Sequence, residues 1–232
     1  MSIFIRMLKE GIVDIPPQEE KAIDGFVKEL ERFHKKRSSI HKDQSNNAIC
    51  YALKEYANTV LAPKYGLTQI YWRFIYEPNS ENKAGYIPTH DEIFVNLAYN
   101  VSNVKDGLQS QKIDWHGVAA SIYHEWVHLK QDIRLKMDHP RGMSAFQKMY
   151  RSTAYSDIKW EQMAMARQEV EWIKRNIKRV KPEHVLKWLQ RQGLRGPDMQ
   201  ILNKTNPEAY KRILKYAVMF MLKKLAQKST KK

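Results

Sequence analysis

A single cysteine, Cys50, stands among 232 residues. That excludes an intramolecular disulfide and a cysteine-held zinc cluster, so any metal here must be held by histidine and carboxylate. One free thiol fits a reducing compartment. Glycine and proline are sparse, nine of each, and strong helix formers run throughout, so the fold is expected to be mainly helical. No apolar run has the length of a membrane span. The longest, "YAVMFML" at 216–222, is bounded by Lys215, Lys223 and Lys224 and is expected to be a buried helix. The opening "MSIFIRMLKEGIVDIPP" has too short an apolar stretch for a secretory signal and no small-residue cleavage site.

Acidic residues are scarce in the last quarter. From Lys174 to Lys232 there are 17 Lys or Arg against Glu183, Asp198 and Glu208, a net +14 of the chain's +15. A near-neutral body thus carries a strongly basic end. Such an asymmetry suits an anionic polymer or an acidic protein partner, and it also suits a solvated face that aids solubility.

Hydrophobic periodicity predicts a helix through "PQEEKAIDGFVKELERFHKK", on Ile23, Phe26, Val27, Leu30 and Phe33, then a loop at "KRSSIHKDQSNN". A second helix follows from "NAICYALKEY" and is expected to end at Pro63. "YWRFIYE" (71–77) and "DEIFVNL" (91–97) read as two strands of a small antiparallel sheet or hairpin, joined by turn chemistry at "PNSENKAG". Ser2 to Met7 is a candidate third strand. A long helix covers "DWHGVAASIYHEWVHLKQDIRLKM", and another starts near Ser156, a good N-cap. Two more helices lie near "PEHVLKWLQRQ" and "NPEAYKRILKYAVMFMLKKLAQK", linked by "GLRGPDMQILNKTN". The expected class is α+β, mainly helical. An N-terminal helical segment (1–44), a central domain (45–179) and a basic helical region (180–232) divide it.

The central helix carries "HEWVH". His124 and His128 are about one turn apart, so both imidazoles leave the same face. Two imidazoles so placed can share one Zn²⁺. Glu125, about a hundred degrees round the helix, can take a proton from a metal-activated water without occupying a ligand position. With eight histidines in the chain, chance would produce roughly 0.02 such motifs, so coincidence is a weak account of it. The third ligand must come from elsewhere. His116 lies two turns too early and His139 beyond the helix end. Glu161, in "WEQMAMA", is the better candidate because Ala164 and Ala166 would allow close helix approach. Glu169 and Glu171 on the same helix are its rivals. Gln131 and Asp132 sit one turn after His128. Either could support a ligand, although Asp132 is expected to be solvated. Tyr155, and behind it Tyr150, are candidate oxyanion donors.

"DEIFVNL", "HEWVH" and "WEQMAMA", in that order, resemble the gluzincin-type minimal zincins, small metallopeptidase-like domains of phages and mobile elements. The resemblance covers roughly residues 45–178. It implies His124, His128 and Glu161 as zinc ligands, Glu125 as the general base, and a protein or peptide substrate. Met163 departs from it, since many relatives carry a second acidic residue there. A cytoplasmic or virion-associated location is expected. The alternative to a zinc peptidase is a non-catalytic zincin-fold virion or nucleic-acid-associated protein that keeps a metal site.

Overall fold

The structure, a computed structural model, describes residues 15–40, 44–101, 108, 113–138, 159–177 and 181–229. The described residues form a mainly helical α+β protein with one small sheet. They fall into two compact units, Ile15–Leu129 and one built on Lys130–Lys232.

In the first unit, helix α1 (Pro17–Ile40) buries Ile23, Phe26, Val27 and Leu30, the stripe its sequence predicts. It does not stop at Lys36. His34 and Ser38 turn inward, where His34 Nε2 lies 3.3 Å from Ser38 Oγ and 3.0 Å from the Leu108 carbonyl oxygen. Buried polar groups with partners keep the helix going through part of the predicted loop. Helix α2 (Asn46–Tyr56) starts at Ser45, whose Oγ accepts the Ala48 N–H at 3.2 Å. Pro63 does not end it. A π turn (Ala57–Leu61) comes first, and Pro63 then sits in the first turn of α3 (Ala62–Tyr65), where its missing N–H is not needed. The stop is Gly66, left-handed at φ 67°. Cys50 is a core residue of α2, and burial pushes its thiol up to about 12, so it is inert at neutral pH.

The sheet corrects the expected hairpin. Strands β1 (Tyr71–Ile75) and β3 (Glu92–Asn96) form as predicted but pair in parallel, with Trp72 opposite Ile93. Strand β2 (Ala84–Ile87) pairs with β3 antiparallel, giving the order β1-β3-β2 and a mixed sheet. β2 lies partly in the stretch read as a turn. It is short, half-buried and contains Gly85, so it has no alternation to detect. The glycine is needed there, because Gly85 faces Phe94 and any Cβ would strike that ring. The Ser2–Met7 strand lies outside the described residues. On the far side of β1, Asn58 acts as a one-residue strand. Its amide donates to the Trp72 carbonyl at 2.8 Å, and its oxygen accepts the Trp72 N–H at 2.9 Å.

Helix α4 (Trp115–Asp138) follows, with the Asp114 carboxylate accepting the His116 N–H at 2.9 Å. It is buried on every side from Val118 to Leu129. Trp126 stacks on Trp72 at 6.0 Å between centroids, and its indole N–H donates to Glu19 at 2.7 Å. The Tyr123 hydroxyl reaches the Glu20 carbonyl at 3.0 Å and the Asp24 carboxylate at 2.9 Å. Trp126 within HEWVH, and Tyr123 just before it, thereby lock this part of the helix onto α1 and β1.

The second unit holds the end of α4 with α5 (Lys159–Asn176), α6 (Pro182–Gln192), α7 (Pro197–Thr205) and α8 (Pro207–Ser229). A proline opens each of the last three. α8 packs along α5, α6 and α7 through Ala209, Ile213, Ala217 and Phe220. "YAVMFML" is thus core, as expected. α7 occupies the predicted linker. It buries little besides Met199, too sparse a stripe to show as periodicity. Ser156 lies outside the described residues. No helix among the described residues is long and apolar enough to cross a membrane.

Candidate metal centre

His124 and His128 leave α4 one turn apart, both buried. Their Nε2 atoms are 3.1 Å apart and the rings meet edge to face at 68°. That spacing allows the nitrogens to share one proton. It also suits two ligands of one tetrahedral ion, which at about 2.0–2.1 Å each from the metal stand roughly 3.3 Å apart. Glu161, in the first turn of α5, is 1% exposed. One ligand atom from each of the three residues lies within 4.8 Å of the others. Two neutral nitrogens and a carboxylate oxygen make a donor set for a divalent metal, of the type that leaves a further coordination position open.

The rivals of Glu161 are engaged elsewhere. Glu171 is buried against Arg167, with 2.6 Å between carboxylate and guanidinium, and pairs with Lys174 at 2.6 Å. Burial alone would raise its pKa, but these charges outweigh burial and hold it at about 2. The Glu169 carboxylate accepts the Gly196 N–H at 3.0 Å where α7 begins. Burial, reinforced by Asp198, pushes Glu169 up to about 7 against the opposing pull of that hydrogen bond. It fills the space a Cβ at position 196 would need. These two roles were not foreseen. The Gly-Pro step at 196–197 was the one signal that backbone might approach closely there.

Glu125 is buried at 7% exposure. Among the described residues it makes no hydrogen bond or ion pair. A buried carboxylate normally has such partners. Gln131 is 1% exposed and its amide donates to the Trp160 carbonyl at 3.1 Å, immediately before Glu161. Asp132, expected to be solvated, is instead buried at 7% exposure and engaged with a partner. Ala164 and Ala166 are fully buried, as is Met163 at 2%. His116 is exposed at the start of α4, away from the triad. Tyr150, Tyr155 and His139 lie outside the described residues. The chain matches no protein-family model, no curated protein and no solved structure.

Proposed function

We propose that this protein is a zinc-dependent peptidase of the zincin type, acting on protein or peptide substrates, with His124, His128 and Glu161 as metal ligands and Glu125 as general base. The observation that carries the reading is Glu125, a buried carboxylate without a structural partner among the described residues, next in sequence to a residue of a buried His-His-Glu group. A metal site kept only for stability has no use for it. A carboxylate left without structural work is available for proton transfer.

A bound zinc supplies Lewis acidity toward water and toward a carbonyl oxygen. Glu125 takes the proton of the water as its oxygen adds to the peptide carbonyl carbon. It returns that proton to the amine nitrogen as the C–N bond breaks. Tyr155, and behind it Tyr150, are the residues proposed to donate to the oxyanion.

Metal analysis joined to peptide cleavage tests the proposal. The wild type and Glu169→Ala should each carry one zinc per chain, and Glu161→Ala should not. Glu125→Gln should keep its zinc and lose about 10²–10⁴-fold in cleavage rate. A metal-free wild type, or a Glu125→Gln protein as active as the wild type, overturns it.

A further inference from the structure

In the second unit a groove of about 500 Å³ lies along α6. It is lined by Asn176 and Ile177 at the end of α5 and by His184, Lys187, Trp188, Arg191 and Gln192 of α6. His184, Lys187, Trp188 and Arg191 recur at helical spacing and share one face. Lys187 and Arg191 are exposed, and neither makes a hydrogen bond or ion pair among the described residues.

The groove therefore offers two cations, with no acid among the described residues of its wall. Ile177 and the flat indole supply the apolar part. A ligand that answers this carries acceptor oxygens and negative charge on one end and a planar body on the other. The volume is in the range of small-ligand sites. Trp188, which by spacing alone looks like core, is half-buried and lines the groove, whereas Tyr216 and Phe220 are core.

We propose that this groove binds a nucleotide, its phosphate held by Lys187 and Arg191 and its base laid against Trp188. The unit bound is either a free nucleotide or one residue of a single strand, and the chemistry of recognition is the same. The site uses α5 and α6 alone and does not depend on the metal reading.

The test is equilibrium binding of AMP, adenosine and a short fluorescein-labelled oligo(dT), compared among wild type, Lys187→Gln/Arg191→Gln and Trp188→Leu. Circular dichroism and a cooperative urea transition establish that each variant is folded. AMP or the oligonucleotide should bind the wild type, and adenosine should bind at least about tenfold more weakly than AMP. The double variant should lose about tenfold or more, and Trp188→Leu about tenfold through lost stacking. Oligonucleotide affinity should also fall as salt rises. AMP binding alone identifies a free nucleotide, and oligonucleotide binding alone a strand; both support the site. No binding of either at millimolar concentration overturns the proposal. So does equal binding by the variants, or displacement of nucleotide by poly-glutamate at matched charge.

Discussion

The side-chain amide of Gln131 donates to the carbonyl of Trp160 at 3.1 Å, tying the turn of α4 after His128 to the residue before Glu161. One hydrogen bond thus joins the backbone that carries the carboxylate to the helix that carries the imidazoles. Gln131 is a positioning residue in this scheme. Gln131→Leu should leave the helical content intact and weaken zinc affinity by about 10–100-fold, measured by competition with a chelator.

His128→Ala leaves one imidazole and one carboxylate, too few for a tight site. The wild type should melt at higher temperature with added zinc and lower with chelator, because a ligand bound only to the folded state stabilises it. The variant should show neither shift. Calorimetry with and without zinc decides this.

Glu171 holds the buried Arg167. Glu171→Gln removes the carboxylate charge from this buried pair and should cost about 3–5 kcal/mol in urea unfolding. An unfolding free energy within about 0.5 kcal/mol of the wild type would contradict this.

Glu169 titrates at about 7 in the folded protein, against 4.5 as its ordinary value. The folded state therefore binds the extra proton between these values, and stability falls as pH rises through that window. The unfolding free energy of the wild type should drop by a few kcal/mol between about pH 5 and pH 8 relative to Glu169→Gln, which keeps an acceptor for the Gly196 N–H but cannot ionise. Parallel pH profiles for the two proteins would contradict this.

Much of the fold and of the candidate site can be read from spacing alone. The core stripes of α1 and α8 follow the helical period, and His124, Glu125 and His128 needed only one turn of helix. Glu161 was separable from Glu169 and Glu171 only by its neighbouring alanines. What distinguishes the three in space is the company each keeps, and Arg167 and Gly196 are partners that no local pattern announces. The strand pairing was misjudged because two strands in succession suggest a hairpin, whereas β2, with Gly85 under the ring of Phe94, inserts on the far side of β3. The extension of α1 past Lys36 depended on Leu108, 74 residues from His34. Interactions of that range leave no periodic trace.

The pairing of Asn58 with Trp72 bears on how this chain tolerates its own concentration. Among the described residues β1 is an outer strand, and outer strands invite a second molecule to extend the sheet. At Trp72 both main-chain groups facing outward are already taken by one side-chain amide from the π turn. A foreign strand arriving there would have to break two hydrogen bonds before making any. Asn58 is thus a guard against self-association, at a position that plays no part in the His-His-Glu group.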